Sequence, residues 1–202
     1  MLALPQSTDV KRPLPKAQLF KRFDWTASQR ERFDVEVSRL DFVNWISPQT
    51  VPAIAMGNEV KEIFVVEVQL KSREFDTKAI TLLAKNIPQR IVYVLRYKDE
   101  TMLAVYHSKL FISKWQFLTH NSSFLTLEGL NLDCVWENIV SSIGSFSVEQ
   151  DNSLTEQIKI DEERSKHERQ IAALERQMNA TKQPRRKREL FVELQKLKEK
   201  LQ

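Results

Sequence analysis

The residues best placed for chemistry are three polar side chains on one predicted strand, Glu67, Gln69 and Lys71. Side chains two apart on a strand project from the same face, with about 6.6 Å between successive members. A carboxylate, a second oxygen ligand and a lysine in one row resemble the motif of a metal-dependent nuclease, in which acidic oxygens hold Mg²⁺ and the lysine orients a water molecule. The row therefore allows a degenerate nuclease.

Two features of the sequence weigh against this chemistry. Gln69 stands where a second acid is needed, and the aspartate expected on a preceding strand is missing, with Glu59 and Glu62 as the nearby substitutes. Glu62 comes five positions before Glu67, so strict alternation sends it to the opposite face. Glu36, on a predicted helix, is the one acid that folding could bring near. We interpret the row as the solvent-facing side of a half-buried strand and expect no catalysis, cofactor or metal.

Other catalytic residue types form no recognisable set. No Cys or acidic residue completes a ligand set at zinc spacing around His107, His120 or His167. Cys134 adjoins an apolar helix face without a nominated histidine partner, so we expect a buried, inert cysteine. Three glycines cannot build a phosphate-binding loop, which argues against nucleotide hydrolysis.

A basic run near the C-terminus is the second candidate site, a nucleic-acid contact formed by Lys182, Arg185, Arg186, Lys187 and Arg188. Cations at a helix N-terminus oppose the macrodipole, at a cost of about a few tenths of a kcal/mol each. A sequence selected for stability alone would avoid them. Contact with phosphate, or with an acidic partner, would explain the run. The alternative is a solvated turn whose charge is offset by Asp161-Glu162-Glu163.

Composition sets the broad class of protein. Apolar residues make up 42% and charged residues 29% of the 202 residues, which is typical of a globular chain. The longest apolar stretches are far short of the roughly 20 residues that a membrane span needs, and no secretory signal is visible. A single cysteine fits a reducing cytoplasm. The net charge of +4 is mild and permits an acidic partner without requiring one.

The elements that must position these residues begin with a basic, proline-containing arm at 1–24, followed by an α+β core at 25–147. Ser28 to Glu31 match a capping box for a helix ending before Pro48. At helical spacing there follow Phe33, Val37, Leu40 and Asn44. Strands are predicted at about 50–56 and 61–71, joined by a turn at Gly57-Asn58.

The second half of the core repeats the alternation of helix and strand. Asp76 can cap a helix that ends at Pro88. Ile91 to Leu95 is apolar on both faces and predicts a central strand, with a partner strand at about 102–107. A helix near 131–143 closes the core. We therefore predict a mixed α+β fold with a small sheet of about four strands flanked by helices.

From Ser153 onward, charged residues alternate with sparse apolar ones. The pattern predicts two helices over 153–202, folded back as an antiparallel, coiled-coil-like hairpin. Each helix is too sparse in apolar residues to be stable alone, so it must pack on something. Its apolar residues are the predicted partner interface: Ile171, Leu174, Met178, Leu190, Leu194, Leu197 and Leu201.

Four motifs together resemble a bacterial family of uncharacterised proteins, domain of unknown function 4391. They are Glu67 to Lys71, the Asn86-Ile87-Pro88 helix end running into Ile91 to Tyr97, the turn from Leu127 to Leu132, and the closing Arg/Lys-rich hairpin. The resemblance covers nearly the whole chain and implies no catalytic residue, because none is established for the family. It implies a genetic setting beside DNA methyltransferases and helicases in mobile or antiviral loci.

The resemblance and the residues together favour a non-catalytic accessory or scaffold subunit of a bacterial DNA-modification (restriction-modification) or antiviral defence assembly. Its hairpin would contact a partner protein, such as a methyltransferase or helicase subunit or a second copy, or nucleic acid. One alternative is a degenerate metal-dependent nuclease using Glu67, Gln69 and Lys71. Another is a stand-alone DNA- or RNA-binding module. We expect a cytoplasmic protein without membrane contact.

Overall fold

The computed structural model describes residues 4–117, 125–148, 153–181 and 183–199. Its contacts divide the chain into two units, Met1–Ser147 and Val148–Gln202. The first unit combines helices with a mixed sheet, and the described part of the second is helical. The predicted mixed α+β class, ending in helices, is confirmed.

The described part of the first unit contains seven strands and four α-helices, preceded by a short 3-10 turn. In chain order they are β1 (Asp9–Pro13), α1 (Lys16–Arg22), α2 (Ala27–Glu36), β2 (Val37–Ile46), β3 (Ile63–Leu70), α3 (Thr77–Asn86), β4 (Arg90–Tyr97), β5 (Glu100–His107), β6 (Lys109–Ile112), β7 (Gln116–Phe117) and α4 (Leu132–Gly144).

The sheet is organised around β3, which pairs antiparallel with β2 on one side and parallel with β4 on the other. Parallel neighbours need a crossover connection, and α3 supplies it. The order across the sheet is β1-β2-β3-β4-β5-β6, with β7 also paired to β5. All the remaining neighbours named in this order are antiparallel.

One face of the sheet packs against α1, α2 and α3. Leu19 of α1, Phe33 of α2 and Ile80 of α3 share a single hydrophobic cluster with Val66 and Val68 of β3. Each of these side chains is at most 4% exposed. Complete burial of such a side chain contributes about 1.5–3 kcal/mol, so this face holds much of the stability of the unit.

The opposite face packs against α4, which contacts β5 and β6. Asn131 caps this helix, because its side-chain oxygen accepts a hydrogen bond from the Cys134 N–H at 3.0 Å. The buried stripe of α4 consists of Leu132, Val135, Trp136, Ile139, Val140 and Ile143. The helix predicted near 131–143 is therefore present.

The predicted count of about four strands was too low, and β2 is the main reason. The capping box lies at Thr26 and Gln29, and α2 ends at Glu36, so the second half of the predicted helix is a strand. Buried positions in β2 are Val37, Leu40, Asn44 and Ile46. Two register shifts break strict alternation in this strand, and the resulting spacing imitates that of a helix.

The predicted N-terminal arm is part of the folded unit. β1 pairs with β2, the buried Thr8 hydroxyl accepts a hydrogen bond from Asn44 at 2.9 Å, and Leu19 lies in the core. Prolines end or flank β1 and α1 without preventing either element. The remaining extra strands, β6 and β7, are short and follow the strand that was predicted at about 102–107.

The strand predicted at 50–56 is absent, and the Gly57-Asn58 turn has another role. Both Asp133 carboxylate oxygens accept backbone N–H groups from Asn58, Glu59 and Val60, at 2.6 to 3.2 Å. Burial would raise the pKa of Asp133, but these three bonds and the Lys61 charge outweigh it and hold the pKa below its ordinary value. A Cβ on Gly57 would come within 2.8 Å of the Asp133 backbone nitrogen, so the loop needs glycine there.

The second unit contains α5 (Leu154–Ala180) and α6 (Pro184–Glu199), together called the C-terminal helical pair. Ser153 and Glu156 form a capping box at the start of α5. The two helices contact each other, and Lys198 forms a 3.0 Å ion pair with Glu175. Within the described residues, no helix is long and apolar enough to cross a membrane.

We predict that Asp133→Ala lowers the free energy of unfolding by about 1–3 kcal/mol, because three backbone donors would then lack their charged acceptor. Urea unfolding followed by circular dichroism measures the change. Glu31→Ala, at an exposed position of α2, is the control and should change stability by less than about 0.5 kcal/mol. Equal effects of the two substitutions would contradict a structural role for the Asp133 hydrogen bonds.

Candidate functional site

Glu67 and Gln69 lie where the sequence predicted, on one face of β3. Both side chains are half-buried and alternate with the buried Val66, Val68 and Leu70. Lys71 follows the end of the strand. Its backbone N–H donates to the Glu36 carbonyl, and its ammonium group donates to the Asp34 carbonyl. Lys71 is thus held by the end of α2 and makes no described contact with Glu67.

The second acid of the site is Asp41, which is directly paired with Glu67 across β2 and β3. Directly opposed residues of antiparallel strands have Cβ atoms about 4.5–5.5 Å apart. Asp41 was not predicted as a site residue, because its segment was interpreted as part of a helix. The acids considered there are engaged elsewhere: Glu62 accepts the Trp45 indole N–H at 2.9 Å, and Glu36 accepts the Asp76 N–H at 3.2 Å.

Two arginines flank this carboxylate pair. Arg39 donates to Asp41 at 2.5 Å, and Arg96 lies 3.4 Å from both Glu67 oxygens. The hydrogen bond that Arg39 donates to Asp41, then the charge of that carboxylate, raises the pKa of Arg39, and the Glu67 charge adds to this. These four residues, Arg39, Asp41, Glu67 and Arg96, are called the ion-pair row.

The ion-pair row is electrically balanced and partly solvated. Side-chain exposures run from 14% for Asp41 to 73% for Arg39, so each pair contributes at most about 1 kcal/mol. The arginines offset the repulsion that adjacent carboxylates would otherwise experience. Within the described residues, no group of three or more His, Cys, Asp or Glu is arranged to hold a metal ion. The arrangement suits a surface network better than a magnesium site.

The basic run is exposed. Arg185 and Arg186 have side chains 96% and 56% exposed, and both approach the same carboxylate, Glu189, at 3.6 and 3.1 Å. Lys187 and Arg188 are also exposed. Lys182 lies outside the described residues. Glu189 therefore forms ion pairs with two of the four described cations of the run.

Positive charge is concentrated in the C-terminal part of the chain. Residues 153–202 contain 13 Lys and Arg against 9 Asp and Glu, so this segment alone accounts for the net charge of +4. Within it, residues 176–188 hold six Lys or Arg and no acid. The basic run was predicted from the sequence, whereas this charge imbalance becomes visible only when charges are counted by segment.

The predicted partner interface divides into two groups. Leu190 and Leu194 are 2% and 3% exposed, so they are already covered in a single chain. The side chains of Ile171, Leu174 and Met178 are half-buried. Leu201 and the side chain of Leu197 lie outside the described residues. Three exposed apolar side chains of this unit were not predicted: Ile160, Phe191 and Val192, at 48 to 50% exposure.

His107 is a structural residue at the end of β5. Its Nδ1 accepts the Trp136 indole N–H at 3.3 Å, which requires that Nδ1 carries no proton. Burial, followed by the positive charge of Arg90, lowers the pKa of His107, and Glu59 partly opposes the shift. Cys134, expected to be buried, is exposed. His120 lies outside the described residues.

These surfaces belong to a mixed-sheet α+β protein with a basic C-terminal helical pair. The chain is a member of the family described as Domain of unknown function (DUF4391), whose model matches residues 2–201. The predicted family membership is therefore confirmed. Comparison with curated proteins gave no match, and neither did comparison with solved structures.

We predict no divalent-metal-dependent cleavage of DNA or RNA by the purified chain, because arginines already neutralise Asp41 and Glu67. Single- and double-stranded substrates incubated with Mg²⁺ or Mn²⁺ provide the measurement. Lys71→Ala should cost only about 1 kcal/mol of stability, because it removes one hydrogen bond. Cutting that disappears in both Asp41→Asn and Glu67→Gln, with the fold retained, would instead establish a nuclease.

We also predict that stability decreases as pH falls below about 6.5, the ordinary histidine value. His107 is protonated there in the unfolded chain, but only at lower pH in the folded chain. The loss of stability therefore grows as pH falls and is complete below the pKa of His107 in the folded chain. Unfolding free energies between about pH 8 and pH 5 would be compared for the wild type and His107→Asn, whose amide oxygen can replace Nδ1 as acceptor. An identical pH dependence for both proteins would show that His107 does not cause it.

Proposed function

We propose that the protein is a non-catalytic accessory or scaffold subunit that contacts nucleic-acid phosphates through the basic end of its C-terminal helical pair. The observation that carries this proposal is the exposed run of Arg185, Arg186, Lys187 and Arg188. In this proposal the α+β unit is the body of the subunit. α5 and α6 form the antiparallel hairpin that reaches the nucleic acid.

Helix stability alone does not explain the basic residues near the start of α6. The four consecutive cations Arg185 to Arg188 oppose the helix dipole, and they also repel one another. Glu189 offsets part of this charge through its ion pairs with Arg185 and Arg186. Exposed pairs of this kind contribute only about 0–1 kcal/mol. A polyanionic ligand would neutralise the remaining unfavourable positive charge, and its binding would be favoured chiefly by counterion release.

Nucleic acid fits this surface better than an acidic protein does. The positive segment 176–188 carries no acid, so its cations can follow a repeating phosphate backbone without local repulsion. Its residues offer guanidinium groups, which bind phosphate through two parallel hydrogen bonds. An acidic protein surface would have to present carboxylates at matching positions, which requires a dedicated partner.

We further propose a bacterial DNA-modification or antiviral assembly as the setting, with a methyltransferase or helicase subunit as partner. Support comes from the genetic neighbourhood that the sequence resemblance implies. The cytoplasm is the proposed location. Alternatively, the protein acts alone as a nucleic-acid-binding module. Absence of a stoichiometric partner after purification from native cells, with binding retained, would favour that alternative.

A degenerate nuclease is the second candidate, because the fold pairs Asp41 with Glu67 and places Gln69 on the same face. The order of strand β3, the crossover helix α3 and the parallel strand β4 is also compatible with such an enzyme. Neutralisation of both acids by Arg39 and Arg96 makes this the weaker proposal.

The salt dependence of nucleic-acid binding tests the main proposal. Substituting Arg185, Arg186, Lys187 and Arg188 by Gln should weaken binding to duplex DNA. The slope of log K against log salt should flatten by about 0.9 for each phosphate that the protein no longer neutralises. Fluorescence anisotropy of a labelled duplex over a salt series measures both quantities.

A matched control removes four exposed lysines from the α+β unit: Lys21, Lys78, Lys98 and Lys114. This variant carries four fewer positive charges, so a general effect of net charge would alter its slope equally. We expect its slope to stay closer to that of the wild type than the slope of the helical-pair variant. An unchanged slope in the helical-pair variant would refute the proposed phosphate binding.

A further inference from the structure

A polar pocket lies in the α+β unit, away from the ion-pair row. It is formed by the end of α3, the connection into β4, and the end of β5, and its volume is about 190 Å³. Its polar lining includes Lys85, Gln89, Arg90, Tyr93 and Tyr106. Among the described residues that line it, none is an acid.

Tyr93 is the residue that makes this pocket unusual. The whole residue is 1% exposed, and its phenol hydroxyl makes no hydrogen bond to any residue that the structure describes. Because Tyr93 lines the pocket, its hydroxyl is open to an acceptor that enters the pocket. Burial raises the pKa of Tyr93, so the hydroxyl stays protonated at neutral pH. It is therefore a fixed hydrogen-bond donor on the wall of the pocket.

The charges around the pocket are positive. Lys85 is exposed, and Arg90 is half-buried with its guanidinium 5.5 Å from the Trp136 ring centre. Neither forms an ion pair with a carboxylate among residues 4–117, 125–148, 153–181 and 183–199. Arg90 also contributes to the positive potential felt by His107. A concave site with positive charge and low-dielectric walls concentrates anions.

We propose that this pocket binds the phosphate group of a phosphomonoester or of inorganic phosphate. Phosphate oxygens accept the hydrogen bond that Tyr93 offers, and the phosphate charge is balanced by Lys85, with Arg90 adding to the field. The volume equals that of about six water molecules. This accommodates a phosphate group, but it is below the 300–1,000 Å³ or so of pockets for drug-sized ligands. A larger ligand would leave the rest of its structure outside.

Titration of the full-length protein with inorganic phosphate at low ionic strength, followed by NMR, tests the proposal. Tyr93→Phe removes the hydroxyl and keeps the ring, so we expect about threefold to tenfold weaker binding without loss of stability. Lys85→Gln should weaken binding to a similar or greater extent. Tyr97→Phe, outside the pocket, is the control and should bind like the wild type.

A second arm distinguishes the two sources of phosphate. It uses oligonucleotides with a 5′-phosphate or a 5′-hydroxyl, and protein in which Arg185, Arg186, Lys187 and Arg188 are Gln, so that the helical pair does not dominate binding. Preference for the 5′-phosphate that disappears in Tyr93→Phe would assign the pocket to a strand end. Binding of inorganic phosphate without such a preference would assign it to a small anion. Absence of millimolar phosphate binding, or equal binding by Tyr93→Phe and Lys85→Gln and the wild type, would overturn the proposal.

Discussion

The pairing of β3 with a different kind of neighbour on each side is the constraint on which the rest of the structure depends. An antiparallel neighbour can follow directly, whereas the parallel neighbour β4 requires α3 as a crossover. That helix fills one face of the sheet with Ile80 and Leu83. The same register sets Asp41 opposite Glu67. The core and the ion-pair row thus follow from one strand.

The sequence predicted those elements whose periodicity is undisturbed. α3, β4, β5 and α4 each present one regular apolar pattern, and each was found close to the predicted bounds. β2 was missed because its register shifts space Val37, Leu40 and Asn44 like residues of a helix. Only the pairing with β3 distinguishes the two interpretations, and pairing between distant segments is not visible in a single sequence.

The candidate sites differ in how far sequence can reveal them. Glu67 and Gln69 share a strand, so alternation alone places them together. Asp41 and Arg96 come from other strands. Their charges change the interpretation of the site from a metal-binding acid to a balanced network of ion pairs. The basic run needs no folding to be recognised, because its members are consecutive. The Tyr93 pocket is defined by burial and by the absence of a hydrogen-bond partner among the described residues. Neither property can be inferred from the residue type alone.

The two edges of the sheet have a consequence for assembly. At one edge, β1 has Lys11 with a φ of 48°, a register shift before Arg12, and Pro13, which has no N–H to donate. At the other, β6 and β7 divide the edge into strands of four and two residues. Long, regular edges invite strand addition and aggregation, whereas short, irregular or proline-bearing ones resist both. Among the described residues, the sheet edges therefore offer few regular backbone donors and acceptors to a further strand. We expect contacts with other chains to depend on side chains, and edge-to-edge polymerisation at high concentration to be disfavoured.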